Sequence, residues 1–182
     1  MLSDSEKIFL VSAARRAIEA AVKKQRSDRP ASVPPSLMSN GAAFVTLYLD
    51  DQLRGCIGSL EARIPLVDTV MEVAAKAAKE DPRFYPLSAA ELPIVTLEIS
   101  VLSPLKQITS IDEIIIGTHG LVFEWGYARG VFLPQVPVEQ GWDKETYLRE
   151  TAMKAGCPPD SWKKSGAKLF VFTCEVFGDE SE

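Results

Sequence analysis

Leu10, Ala14, Ala17, Ile18 and Ala21 recur at helical intervals behind Ser3 and Glu6, which have capping-box spacing, so the pattern predicts an amphipathic helix from residue 4 to about 25. Ser27 to Asn40 holds three prolines and several serines and reads as an extended, loosely held connection. Phe44, Val45, Thr46 and Tyr48 mark a strand over Gly41 to Asp50, and the polar Asp50-Asp51-Gln52 turns the chain back into a second strand that carries Arg54 to Gly58. Pro65 starts a second helix running to about Glu80, with Val67, Val70, Met71, Ala74 and Ala78 on one stripe. Asp81-Pro82-Arg83-Phe84-Tyr85-Pro86 breaks that helix and forms a shaped loop, because a residue before proline is pushed out of the α region.

Ile94 to Leu102 alternates apolar and polar residues, the signature of a strand with one buried face, and Ser103-Pro104 ends it. Ile111 to Ile116 is apolar but too short for periodicity to separate helix from strand. Leu121 to Trp125 and Val131 to Gln135 pair as a hairpin around Gly126 to Gly130. Asp143 as N-cap, Leu148, Ala152 and Ala155 as stripe, and Gly156 and Pro158 as stop signals predict a third helix. Lys168 to Phe177 closes the chain as one buried strand. About three helices among at least five strands, with neighbouring strands in hairpin-like order, give an α+β fold with a largely antiparallel sheet. No internal repeat is present.

Composition narrows the function classes. A chain of 182 residues with 46% hydrophobic and 25% charged positions can bury a core without disulfides or a structural metal. Its net charge of −5 and the acidic neighbours of its basic clusters argue against a nucleic-acid partner. No apolar run approaches the roughly 18 residues of a membrane span, and the acidic start lacks a signal-like apolar stretch, so a soluble cytoplasmic protein is expected. Three cysteines at no ligand-like spacing and a single histidine point away from a metal site, and no Walker or dinucleotide fingerprint calls for a cofactor.

The candidate chemistry centres on Leu53-Arg54-Gly55-Cys56-Ile57-Gly58. On a regular strand Arg54 and Cys56 share a face, so the guanidinium can favour thiolate while Gly55 and Gly58 leave room for an approaching ligand. The competing reading makes Cys56 a small buried hydrophobe and the glycines a bulge or the seat of a helix. His119, between Gly117 and Gly120 in a loop before a strand, is the only imidazole available for proton transfer, or else it hydrogen-bonds backbone. Asp81 and Arg83 either clamp an anionic ligand or form a local ion pair. Gln135 and Glu139 supply further polar groups.

These stretches fall in one order together with Ile99-Ser100-Val101-Leu102-Ser103-Pro104, His119-Gly120-Leu121, Leu133-Pro134-Gln135-Val136, Trp142 and Lys154-Ala155-Gly156. In that order they resemble the AMMECR domain family, also called AmmeMemoRadiSam system protein A, over roughly residues 4 to 178. Pro137 departs from the small residue expected after Val136. The resemblance implies one domain over 1–182 with a larger and a smaller lobe, the smaller from about 104–140, and a cleft near the cysteine motif where Gln135 and Glu139 add contacts. It also implies Memo-like and radical SAM partners. Two readings follow: a binding or adaptor module taking a small molecule or peptide, or an enzyme or thiol carrier with Cys56 as nucleophile and His119 as proton-transfer partner. Oligomeric state is not legible.

Overall fold

A computed structural model describes residues 1–179; the last three residues of the expected 1–182 domain lie outside the described residues. The chain forms two compact units, one of Met1–Leu102 with the described residues from Glu175, the other of Ser103–Cys174. The fold is α+β, as the periodicities predict.

In the first unit, helix α1 (Asp4–Val22) begins with the predicted capping box, in which Ser3 and Glu6 satisfy each other's backbone N–H groups. Helix α2 (Leu66–Lys79) follows strands β1 (Ala42–Leu49) and β2 (Gln52–Ser59), and precedes β3 (Thr96–Leu102). With β8 (Cys174–Gly178) these make a sheet of order β2-β1-β3-β8. Val45, Leu47, Leu97 and Ile99 point from the sheet into one core with Leu10, Ala14 and Ile18 of α1 and Val67, Val70 and Ala74 of α2. The small residues on both helices let them lie close to the strands.

The connection over 27–40 is held more firmly than its composition suggests. A 3-10 turn, Pro35–Met38, sends Leu37 into the core with no exposed surface, and Arg29 pairs with Asp68 of α2.

In the second unit, strands β4 (Lys106–Ile108), β5 (Gly120–Trp125), β6 (Ala128–Phe132) and β7 (Lys168–Phe172) pair in the order β4-β7-β5-β6. A helical turn α3 (Val136–Glu139) precedes helix α4 (Lys144–Lys154), whose N-cap is Asp143 as expected. Leu121, Tyr147, Leu148, Val171, Ile108 and Ile114 form the core. The ambiguous Ile111 to Ile116 is a 3-10 turn, Ile111–Glu113, that drops Ile114 into this core.

One expected strand divides. Residues 168–177 break at Thr173, whose N–H donates to Ser103 Oγ at 2.9 Å and whose carbonyl accepts the Ser103 N–H at 2.9 Å. β7 and β8 therefore belong to different sheets. Apolar residues on both sides of Thr173 conceal the break, and Cys174 is half-buried rather than deep in a strand interior.

Candidate functional site

The β1–β2 turn places Asp50 and Asp51 at φ 49 and 58, a left-handed pair of the kind that tight hairpins require. Pairing then steps from Tyr48↔Leu53 to Leu47↔Gly55, which leaves Arg54 without a partner on β1. This bulge interrupts strict alternation and re-aims the Arg54 side chain. Its Nε and Nη2 donate to the Glu91 carboxylate at 2.8 and 3.3 Å, and Nη1 donates to the Tyr85 carbonyl at 2.9 Å. Glu91 also accepts from the Ser88 N–H and hydroxyl. Arg54 foremost, and Ser88 with it, hold the Glu91 carboxyl down to about 2. Arg54 is thus committed to fastening the 85–91 segment onto β2.

The cation set beside the thiol is Arg83. Asp81 Oδ2 accepts both the Cys56 N–H and Arg83 Nη2, each at 2.8 Å, while Oδ1 accepts Arg83 Nε at 3.0 Å and the Arg83 N–H at 3.1 Å. The Asp81 side chain is 2% exposed and that of Arg83 54%. Both carboxylate oxygens are filled, and the Arg83 guanidinium leads the causes that hold the Asp81 carboxyl down to about 2. Such a carboxylate is a poor proton acceptor and a strong anchor. Arg83 is correspondingly raised, first by its bonds to Asp81 and to a lesser degree by the Cys56 sulfur. It also stacks on Phe84 at 5.4 Å.

Cys56 is half-buried, and Thr46, its cross-strand partner, donates from Oγ1 to Sγ at 3.3 Å. The flanking glycines serve packing. A Cβ at Gly55 would lie 2.4 Å from the Ala77 carbonyl oxygen of α2, and one at Gly58 would fall on the Phe44 ring. The room expected for a ligand at these two positions is therefore occupied by the helix and by an aromatic ring. Space exists instead over the loop, in an open depression of about 600 Å³ lined by Arg54, Pro82, Arg83, Phe84 and Tyr85.

Arg54, Gly55, Cys56, Asp81 and Arg83 thus come together in the first unit, with Gly58 farther along β2. His119, Gln135 and Glu139 belong to the second. There His119 Nδ1 accepts the Ile115 N–H at 3.2 Å, so a neutral ring carries its proton on Nε2 and presents a donor. The Gln135 carbonyl accepts the Glu139 N–H across α3, and the Glu139 side chain is exposed. Sequence reasoning missed Glu91 and Thr46. Ser88-Ala89-Ala90-Glu91 has capping-box spacing and was the available signal for the first, and cross-strand register for the second.

The AMMECR1 family model matches residues 11–177, and the chain belongs to that family. It is 42% identical to protein PH0010 of Pyrococcus horikoshii over 94% of this chain and 89% of that protein. It is 40% identical to protein MJ0810 of Methanocaldococcus jannaschii over 97% and 92%. The crystal structure of uncharacterized protein PH0010 superimposes with a TM-score of 0.93 at 40% identity, covering 98% of this chain and 94% of that one. Among the described residues no helix is long and apolar enough to cross a membrane.

Proposed function

We propose that the chain is a ligand-binding module whose first unit receives an anionic group at Arg83, beside the Cys56 thiol, and that it works with the Memo-like and radical SAM partners implied by the family resemblance. The observation that carries the reading is the double use of Asp81 Oδ2, which fixes an exposed guanidinium to the backbone of the cysteine strand. A guanidinium held on one edge by a buried carboxylate keeps its other N–H groups for a carboxylate or phosphate. Pro82, Phe84 and Tyr85 give the same depression apolar walls.

Calorimetric titration with inorganic phosphate and with succinate tests this. Binding that Arg83→Gln abolishes, while the variant keeps its circular dichroism spectrum, is the expected result. Equal binding by both proteins, or none by the native chain, overturns it. A second reading, Cys56 as nucleophile in an enzyme or thiol carrier, is favoured by the Thr46 hydrogen bond to sulfur and by the nearby Arg83 charge, since both stabilise thiolate.

A further inference from the structure

Thiol activation and ligand recognition are usually assigned to different groups, but here one arginine is placed for both. Asp81 holds Arg83 Nε and Nη2, which leaves the rest of the fork facing a depression that lies against the cysteine strand. Arg54 lines the same depression, but Glu91 takes its Nε and Nη2 and the Tyr85 carbonyl takes its Nη1, whereas Asp81 engages only Nε and Nη2 of Arg83. The second cation is therefore a wall of the site, and Arg83 offers the donor that an anion can meet.

We propose that Arg83 makes Cys56 selective for carbon electrophiles that carry a carboxylate or phosphate. The proposal rests on the anion-binding reading above and adds to it the class of compound that reaches the thiol. In the step itself, the Cys56 sulfur forms one bond to the electrophilic carbon and the leaving group departs with its electron pair. The thiol proton passes to water, and nothing is oxidised or reduced. The apolar walls at Phe84 and Tyr85 suit a compound with an unsaturated or aromatic body behind its anionic end.

Iodoacetate and iodoacetamide share the reacting carbon and leaving group and differ in charge, so their rate ratio at one thiol measures recognition alone. Any change in thiolate fraction affects both reagents equally and cancels. Mass mapping of the folded chain gives this ratio at Cys56, with Cys157, also half-buried, as the internal reference. The ratio at Cys56 should exceed that at Cys157 by about tenfold, the scale of one unit charge acting through water and salt on an exposed guanidinium. Arg83→Gln should bring it down to the Cys157 value, and Arg83→Lys should retain a part.

A Cys56 ratio equal to that of Cys157, or one unchanged in Arg83→Gln, overturns the proposal. The two levels separate cleanly. If phosphate binds in an Arg83-dependent way while the ratio stays flat, the site takes anions and the charge-selective thiol is disproved. If phosphate does not bind at all, the underlying reading has fallen.

Discussion

In the first unit, Asp81 and Glu91 each accept from an arginine and from backbone N–H, and the two arginines so held, Arg83 and Arg54, line an open depression. In the second, the largest fully buried side chain is neutral: Tyr147 has no exposed surface, and its hydroxyl reaches the carbonyls of His119 and Phe132 at 3.2 and 3.3 Å. Phe132 and Trp142 both pack tilted against its ring and meet each other edge-on, with Lys154 Nζ 4.1 Å over the Phe132 ring. Charge-assisted bonds fix direction at a place that water and ligand can reach, whereas shared neutral bonds tie down a packed core. The comparison sets ion-paired carboxylates beside the open depression of the first unit against neutral bonds in the closed core of the second.

The largest expected consequence is a difference in acid sensitivity. Asp81 and Glu91 are depressed to about 2 from ordinary values of 3.8 and 4.5. A depressed folded pKa means that the unfolded chain takes up the proton first. Their stabilisation is then complete above about pH 4.5 and is lost as pH falls toward 2. At about 1.4 kcal/mol per unit, and with Glu91 discounted for its partial exposure, the pair contributes about 4 kcal/mol. All three tryptophans, Trp125, Trp142 and Trp162, lie in the second unit, while α1 and α2 hold most of the helix. Far-ultraviolet dichroism should therefore fall at higher pH than tryptophan fluorescence changes. Coincident transitions, or fluorescence moving first, would break the contrast between the units.

A middle-sized effect sharpens what the glycines of the first unit are for. At Gly55 the obstacle to a side chain is the backbone carbonyl of Ala77, whereas at Gly58 it is the Phe44 ring, which can turn aside. Gly55→Ala should cost about 2–3 kcal/mol and Gly58→Ala about 1 kcal/mol, the range of overpacked sites that cannot or can relax. Urea unfolding followed by dichroism gives both values. If Gly55→Ala leaves stability intact and instead blocks phosphate binding, the glycine serves a ligand and not α2.

The same contrast explains what could be read from the residues. Helix and hairpin signals were strong because α1 and α4 carry an apolar stripe and a side-chain cap, α2 a stripe behind Pro65, and the β1–β2 pair a tight polar turn. Asp81, Arg83 and Cys56 stood out through their motifs, and the local Asp81–Arg83 ion pair was one of the two readings of that loop, but the bond from the Cys56 N–H to Asp81 was not legible. Same-strand alternation paired Arg54 with Cys56, and a one-residue bulge sent Arg54 to Glu91 instead. The division of 168–177 was hidden for a similar reason, since it depends on Ser103, seventy residues away. β4 was missed because Lys106 and Gln107 carry no apolar alternation over its three residues. Local pattern shows which elements form; register and long-range hydrogen bonds decide which side chains meet.

The smallest expected effect tests the neutral side of the comparison. A hydroxyl has one proton to share between the His119 and Phe132 carbonyls, so Tyr147→Phe loses about 1 kcal/mol at pH 7, the net worth of one such bond. Burial holds the Tyr147 phenol well above its ordinary value of 10.0. A raised folded pKa gives stability that is complete below the unfolded value and lost as pH rises above it, because the phenol ionises only on unfolding. Phenylalanine has no proton to lose, so the gap between native and variant should narrow above about pH 10 and then reverse. Urea midpoints from tryptophan fluorescence at pH 7, 10 and 11 measure this within the second unit. A cost above about 3 kcal/mol at pH 7, or a gap that widens with pH, would show that Tyr147 works as a charged or strongly coupled group, as Asp81 does.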